Sequence, residues 1–222
     1  MFVKTLKPLF DPTEYGESSA SFYDQLYPGI EKGIVDVLQK LAGDGLALDL
    51  GIGTGRVAIP LKKRGIKVHG VEASHSMITE FYKHEGSEGI PVAQGDFTST
   101  TFGNKYQLIY SLVSTFLLLP SLELQQQCFH NISNHLLPGG YFVSEVYESE
   151  NTFPEPEHSV IPITTESGIK EYHFSFLGTP LNVLDEMAEK AGLKVVVRWS
   201  NWQGKQYQER DPRHICVYSR SL

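Results

Sequence analysis

Short runs rich in apolar residues recur along the first two thirds of the chain, and stretches with helical spacing separate them. Runs of this length bounded by turn formers predict buried strands, here at 46–50, 67–72, 91–94, 106–112 and 141–146. The helical spacing predicts helices at about 29–41, 56–64, 74–84 and 122–137. This alternation is typical of an α/β fold, in which helices cover both faces of a parallel sheet.

The alternation stops after the fifth predicted strand. Segment 148–165 contains several prolines and predicts a loop with short strands. Beyond it the pattern predicts one strand, a helix that ends at Gly192, and two final strands, at 169–176, 181–191, 194–199 and 214–219. Only a small cap is therefore expected between the fifth strand and the last helix.

The 222 residues, 41% of them hydrophobic, are enough for one domain with a sizeable core. No internal repeat or linker divides the chain, so we expect a single domain over 1–222. Its expected parts are an aromatic and helical N-terminal segment, a core with the glycine turn described below, a short cap, and the last helix with the terminal strands, at 1–45, 46–147, 148–180 and 181–222.

Charge and cysteine content exclude several function classes. The net charge of −7 argues against a nucleic-acid partner. No apolar stretch reaches the length of a membrane span, and the N-terminus lacks the apolar core of a signal peptide. Cys128 and Cys216 are too few for a disulfide framework or a metal cluster. We therefore expect a cytoplasmic protein without a membrane partner or a bound metal.

The turn after the first predicted strand carries the strongest functional signal. Asp49 lies near the end of that strand, and three glycines on alternate positions follow it: Gly51, Gly53 and Gly55. Glycines in such a turn let the backbone approach a ligand closely. Glu72, 21 residues after Gly51, ends the second predicted strand, where an acid accepts hydrogen bonds from ribose hydroxyls. Together these features predict a nucleoside pocket.

The glycine spacing distinguishes two kinds of ligand. A dinucleotide fingerprint has its third glycine three residues after the second, and that position is Arg56 here. The acid and spaced glycines instead resemble motif I of the class I S-adenosylmethionine-dependent methyltransferases, small-molecule branch. The resemblance extends over about 15–218, including 136–140 before the fifth strand and 95–97 after the third.

The resemblance implies a Rossmann-like, seven-stranded, mostly parallel sheet whose last strand is antiparallel. It also implies S-adenosylmethionine as cofactor and S-adenosylhomocysteine as product. The glycines pass beside the methionine part, the second-strand acid holds the ribose, and residues after the second and third strands border the adenine. The expected cofactor-binding residues are Asp49, Gly51, Gly53, Gly55, Arg56, Glu72, Ala73, Met77, Asp96, Phe97 and Leu112.

The acceptor is expected beside the loop after the fourth strand. In relatives that methylate nucleobase or amide nitrogens, this loop carries Asn or Asp followed by prolines, whereas 111–116 reads Ser-Leu-Val-Ser-Thr-Phe. This departure favours a small-molecule acceptor. The expected substrate-facing residues are three N-terminal tyrosines, whose π faces attract a sulfonium, and one loop residue: Tyr15, Tyr23, Tyr27 and Phe116.

The implied reaction is an in-line displacement at the sulfonium methyl carbon, for which alignment supplies much of the rate. A general base is needed only when the acceptor is a hydroxyl or a protonated amine. The candidates are Glu145 at the end of the fifth strand, His173, and His214 at the start of the last strand.

Several alternatives stay open at this point. The acceptor atom is expected to be oxygen or nitrogen of a metabolite, with carbon as a further option. A second hypothesis is a non-methylating or regulatory S-adenosylmethionine-binding protein. A nicotinamide-dependent oxidoreductase is a third, against which Arg56 argues. The protein is expected to act as a monomer or a homodimer.

Overall fold

The computed structural model describes residues 11, 13–100, 103–147 and 156–221. Within them the strands are β1 Ala47–Leu50, β2 Val68–Glu72, β3 Val92–Gln94, β4 Tyr106–Ser111, β5 Leu136–Tyr147, β6 Glu157–Thr165, β7 Gly168–Phe176, β8 Leu193–Trp199 and β9 Arg213–Arg220. The α-helices are α1 Glu14–Ser19, α2 Tyr23–Leu26, α3 Ile34–Ala42, α4 Ala58–Lys63, α5 His75–Phe81, α6 Leu122–His135 and α7 Leu181–Lys190, with 3-10 turns at Ala20–Phe22 and Thr115–Leu118.

Seven strands form one sheet in the order β3-β2-β1-β4-β5-β9-β8. The five strands from β1 to β5 pair in parallel, and β9 runs antiparallel to both β5 and β8. This confirms the predicted sheet with its antiparallel last strand. The order of the strands reverses between β1 and β4, and ligands of open α/β sheets bind beyond the carboxyl ends of the strands at such a point.

Apolar residues on successive strand positions bury both faces of the sheet. Leu108 and Tyr110 of β4 belong to the core on the side of α3 and α4, whereas Ile109 belongs to the core on the side of α6 and α7. Because successive side chains of a strand point to opposite faces, such a strand is apolar throughout. Fully burying each large apolar side chain contributes about 1.5–3 kcal/mol, so these two layers hold the sheet rigidly under the site.

Helix starts follow local side-chain chemistry. Ser74 caps α5 by accepting a hydrogen bond from the amide of Met77 at 3.1 Å. Ser121 caps α6 through the amide of Leu124 at 3.2 Å. The helix predicted from residue 29 begins later, at Ile34, because the backbone at Gly33 is left-handed with φ 99° and cannot continue a right-handed helix.

The prediction of a loop with short strands at 148–165 is wrong for its described part. Residues 148–155 lie outside the described residues, but β6 is a continuous strand of nine residues paired antiparallel with β7. Most β6 side chains are exposed, so no apolar periodicity marks the strand, and Pro162 is tolerated because β6 is an edge strand. The β6–β7 hairpin forms the cap over the sheet.

One further difference concerns the start of β5. The sequence predicts Pro138, Gly139 and Gly140 as a turn before the strand, whereas β5 already begins at Leu136, which pairs with Tyr106. The register then shifts before Leu108 pairs with Tyr141, so the predicted turn is an irregularity inside the strand. Among the described residues, no helix combines the length and apolar character needed to cross a bilayer.

Candidate functional site

A cavity of about 290 Å³ lies beyond the carboxyl ends of β1 to β4, under α1 and the β6–β7 hairpin. Its floor comes from the residues that follow these strands, so the rigid sheet positions them. The sequence-predicted residues that line it are Gly51, Gly53, Glu72, Ala73, Met77, Asp96, Phe97, Tyr15 and Tyr23. The fold thus brings the adenine, ribose and methionine elements of the predicted cofactor site together in one space.

The glycine turn has the backbone that its sequence predicts. Gly51, Gly53 and Gly55 all have positive φ values, of 77°, 53° and 83°. A Cβ atom on Gly51 would lie 2.5 Å from Thr115, and one on Gly55 would lie 2.5 Å from Phe81. A Cβ atom on Gly53 would meet no protein atom within 4 Å, because that position faces open space in the cavity.

Glu72 connects the glycine turn to the start of α5. One carboxylate oxygen accepts a hydrogen bond from the amide of Gly53 at 2.9 Å, and the other accepts from the amide of Ser74 at 3.0 Å. Burial raises the pKa of Glu72, although these amide hydrogen bonds oppose the rise. Each carboxylate oxygen keeps a further lone pair, so Glu72 can hold the turn and still accept hydrogen bonds from a ligand.

Asp49 lies behind the turn, outside the described cavity lining. It is buried, and burial raises its pKa to about 8, opposed by the neighbouring Tyr110 phenol and reinforced by the charge of Glu72. The predicted residues Gly55, Arg56 and Leu112 are also placed away from the lining. The guanidinium of Arg56 instead donates to the carbonyl of Gly29 at 2.8 Å.

The predicted adenine end is built from two turns. Ala73 and Met77 lie at the start of α5, and Asp96 and Phe97 follow β3. The Asp96 carboxylate accepts a hydrogen bond from the amide of Thr98 at 2.7 Å, which fixes its direction. These four side chains therefore form a partly apolar slot with an oriented acceptor at its edge.

Tyrosine hydroxyls form a network above the glycine turn. The hydroxyl of Tyr172 donates to that of Tyr15 at 2.7 Å and lies 3.3 Å from that of Tyr27. The rings of Tyr15 and Tyr23 meet edge to face with centroids 6.4 Å apart, and both line the cavity, whereas Tyr27 does not. Burial raises the pKa of Tyr15 well above its ordinary value, so its phenol stays protonated.

Glu17 fixes α1 against the start of α5. Its carboxylate accepts hydrogen bonds from the Ser74 hydroxyl at 2.8 Å, the Ser76 amide at 3.1 Å and the Ser76 hydroxyl. Burial alone would raise the pKa of Glu17, but these hydrogen bonds outweigh it and lower the pKa. A Cβ atom on Gly16 would lie 2.3 Å from that of Ser74, so a glycine is needed for this close contact.

Most of the opposite wall of the cavity was not predicted from the sequence, although Thr115 lies in the loop 111–116 that was expected beside the acceptor. This wall comprises one acid of α1, residues of the turn after β4, and residues of the hairpin: Glu14, Thr115, Leu118, Leu119, His158, Phe174 and Ser175. The Nδ1 atom of His158 lies 2.9 Å from the Ser175 hydroxyl. The hairpin sequence has no recognisable motif, and a pattern of exposed strand residues does not indicate what they face.

Glu145 is buried away from the cavity lining. One oxygen accepts hydrogen bonds from the Trp202 indole at 2.9 Å and from Arg213 at 3.1 Å, and the other accepts from the amide of Val113 at 3.0 Å. Val113 and Ser114 both have positive φ, of 53° and 59°. The carboxylate therefore holds a left-handed turn that leads to Thr115 in the cavity.

The other predicted residues occupy three different environments. His214 is buried on β9 beside Cys216, and burial and the charge of Arg198 lower its pKa to about 4. Phe116 packs in the core between the rings of Phe129 and Phe142. His173 lies next to the cavity wall, its Nε2 atom 3.2 Å from Glu171 and its Nδ1 atom 3.9 Å from Glu14.

Comparison with known proteins agrees with this geometry. Residues 47–140 match the family model described as a methyltransferase domain. The chain is 29% identical over 134 residues to a cypemycin N-terminal methyltransferase from a Streptomyces species. That match covers 59% of this chain and 55% of the relative, so the chain spans about half the length of the curated protein it matches.

Two solved structures illustrate the likeness of the fold. The CcbJ methyltransferase from Streptomyces caelestis is 25% identical, with a TM-score of 0.83 over 96% of this chain and 100% of that one. CalS10, an amino pentose methyltransferase from Micromonospora echinaspora, is 17% identical, with a TM-score of 0.67 over 90% of this chain and 96% of that one. CalS10 therefore shares the fold of this chain at low sequence identity.

Proposed function

Because this chain belongs, through residues 47–140, to the class I S-adenosylmethionine-dependent methyltransferases, we propose that it methylates an oxygen or nitrogen of a small metabolite and releases S-adenosylhomocysteine. The observation that carries the proposal is the meeting of the open position at Gly53, the Glu72 carboxylate and the Asp96 turn in one cavity. The strands β1 to β5 form one sheet with β9 and β8, which supports a single domain over 1–222.

The cofactor is proposed to lie across the floor of this cavity. Glu72 would accept hydrogen bonds from the ribose hydroxyls, and Asp96 one from the adenine amino group. Met77 and Phe97 would enclose the ring, while the methionine part passes over Gly53. The described residues that line the cavity include four acids and no Lys or Arg, a charge balance that suits a cationic sulfonium.

The acceptor is proposed to enter between α1 and the hairpin. Tyr15 and Tyr23 present rings on this side, where a cation gains about 0.5–2 kcal/mol over an aromatic face. The cypemycin relative is named for methylation at an N-terminus, which supports nitrogen as the first acceptor class to test. One chain supplies all the described walls of the cavity. This agrees with a monomer and equally with a homodimer.

The reaction is proposed to proceed by in-line displacement. The carbon–sulfur bond to the methyl group breaks as the new bond to the acceptor forms, and the electron pair of the broken bond stays on sulfur. Pre-alignment and exclusion of water supply much of the acceleration. Among the predicted bases, His173 lies nearest to the acceptor wall, whereas both oxygens of Glu145 already accept hydrogen bonds. We assign Glu145 to positioning the turn before Thr115.

Calorimetric titration of the full chain with S-adenosylmethionine, S-adenosylhomocysteine and NADH tests the cofactor. We expect micromolar binding of the two sulfur compounds and none of NADH; the reverse would support the oxidoreductase alternative and overturn the proposal. Incubation with a panel of amines and alcohols, read by mass spectrometry, then tests methyl transfer. Cofactor binding without transfer to any acceptor would favour a regulatory S-adenosylmethionine-binding protein.

A further inference from the structure

Three metal-ligating side chains meet beside the cavity. Glu14 of α1, His158 of β6 and His173 of β7 each offer a ligand atom, and these atoms lie within 4.8 Å of one another. In the hairpin, His158 pairs with Ser175 and Val160 pairs with His173, so the two histidines are diagonal neighbours on one face. Their ring centroids are 6.1 Å apart. Tertiary packing of α1 on the hairpin adds the carboxylate.

Neighbouring side chains orient both imidazole rings. The Nδ1 atom of His158 lies 2.9 Å from the Ser175 hydroxyl, a contact that favours Nε2 as the ligand atom. The Nε2 atom of His173 lies 3.2 Å from Glu171, and its Nδ1 atom faces Glu14 at 3.9 Å. A carboxylate or hydroxyl on the distal ring nitrogen is the usual partner of a metal-bound histidine, because it fixes the tautomer and the ring direction.

We propose that Glu14, His158 and His173 bind one divalent transition-metal ion, with Zn²⁺ or Co²⁺ as the fitting class. Two imidazoles and one carboxylate suit these ions, and bonds of about 2.0–2.2 Å in a tetrahedron place ligand atoms about 3.3 Å apart. The three ligand atoms lie within 4.8 Å of one another, so each pair would have to approach by about 1.5 Å at most. Small rotations of the side chains provide this approach. His158 is exposed and His173 is partly exposed, so both rings have room to rotate.

Three protein ligands leave a fourth position of the ion open. Glu14 and His158 both line the cavity, so this position faces the space assigned to the acceptor. This consequence rests on the proposed function: an acceptor hydroxyl bound there would have a lowered pKa, because the ion stabilises the alkoxide. The proton would then pass to solvent, and the alkoxide oxygen would attack the methyl carbon.

Titration of the metal-free full chain with Co²⁺ tests the site directly. Bound Co²⁺ in a histidine and carboxylate site of low coordination number absorbs visible light, so the spectrum reports binding without any assay of methyl transfer. We expect one equivalent of Co²⁺ to bind and one equivalent of Zn²⁺ to displace it. Absence of a saturable spectrum at millimolar Co²⁺ would overturn the proposal.

Variants identify the ligands. His158→Gln and His173→Gln each should weaken Co²⁺ binding at least about 100-fold, and Glu171→Gln about 10-fold, since loss of an orienting partner costs 10–100-fold in affinity. His130→Gln is the matched control, because His130 is exposed on α6 and should leave binding unchanged. Equal affinity in His158→Gln and the control would exclude the site. If the protein binds Co²⁺ with the expected spectrum but shows no cofactor binding or methyl transfer, the proposed function fails while the metal site stands.

Discussion

At the residue scale, Glu72 combines a structural and a proposed binding function in one carboxylate. It accepts hydrogen bonds from the amides of Gly53 and Ser74, and it faces the cavity. A charged acceptor contributes about 1.5–3 kcal/mol to a hydrogen bond, equivalent to about 10–150-fold in affinity. We therefore expect Glu72→Ala to weaken S-adenosylmethionine binding at least about 10-fold, measured by calorimetry.

The matched control for this variant is Glu189→Ala, an exposed acid of α7, which should bind the cofactor normally. Circular dichroism of both variants distinguishes lost binding from lost folding. A folded Glu72→Ala protein with unchanged cofactor affinity would remove Glu72 from the proposed ribose site.

Asp49 offers a test based on pH. Its pKa is raised to about 8 by burial, whereas in the unfolded chain it is about 3.9. Between these values the native state holds a proton that the unfolded state has released, so this carboxyl lowers the stability as pH rises. Asn cannot titrate. We therefore expect Asp49→Asn to lack this decrease in the free energy of unfolding, which amounts to up to about 1.4 kcal/mol per pH unit.

Urea unfolding of the wild-type protein and Asp49→Asn at pH 5, 6 and 7 measures this difference. Subtracting the two curves cancels other groups, such as His214, whose lowered pKa makes its own contribution rise with pH. Parallel stability profiles would contradict the raised pKa of Asp49.

At the scale of elements, the turn after β4 depends on β5 and on the β8–β9 connection. Glu145 accepts hydrogen bonds from Val113, Trp202 and Arg213 while buried. Removing its charge leaves the Arg213 guanidinium without one of its acidic partners, and breaking such a buried pair costs about 3–5 kcal/mol. Because Gln keeps one carbonyl acceptor, we expect Glu145→Gln to destabilise the fold by about 2–4 kcal/mol.

Urea unfolding gives this loss, and calorimetry gives the cofactor affinity of the folded fraction. A positioning role predicts slower turnover with a nearly unchanged pH profile. If Glu145→Gln instead removed one limb of the pH profile and left stability unchanged, Glu145 would be a general base.

The contact between α1 and α5 provides a second test at this scale. Gly16 lies so close to Ser74 that an added Cβ atom would overlap it at 2.3 Å. Gly16→Val should therefore push α1 off α5 and open the cavity, and cofactor dissociation should accelerate at least about 10-fold in stopped-flow measurements. Gly103→Val is the control for loss of a glycine, because Gly103 does not have positive φ and no atom lies within 4 Å of a Cβ there.

At the scale of the whole molecule, ligand binding and folding should be linked. The cavity draws walls from α1, the sheet and the hairpin, so a ligand that fills it binds only the folded chain. At 100 times its dissociation constant, S-adenosylmethionine should stabilise the protein by about 2.7 kcal/mol. For a chain of this size we expect a melting temperature about 5–10 °C higher, measured by differential scanning fluorimetry. No shift at saturation would contradict cofactor binding at this site.

Much of the sheet was predictable because its signals are local. β1, β2 and β4 are short apolar runs with both faces buried, and the left-handed turn after β1 needs glycine at Gly51 and Gly55. Of the hairpin, β7 was predicted at 169–176, whereas the continuous strand β6 was missed because it pairs with β7 through backbone hydrogen bonds while most of its side chains are exposed. Exposed side chains need not be apolar, so no apolar period marks β6 in the sequence.

The sequence by itself determined the alternating strands and helices, the glycine turn and the acid at Glu72, since each depends on residues close together in the chain. Only the tertiary structure decided the partners of Glu145, which come from Val113, Trp202 and Arg213. It alone also brought Glu14 to the two histidines of the hairpin. These contacts join residues that lie far apart in the chain. They form only when the helices and strands pack together, and such packing produces no periodic pattern or fixed spacing in the sequence.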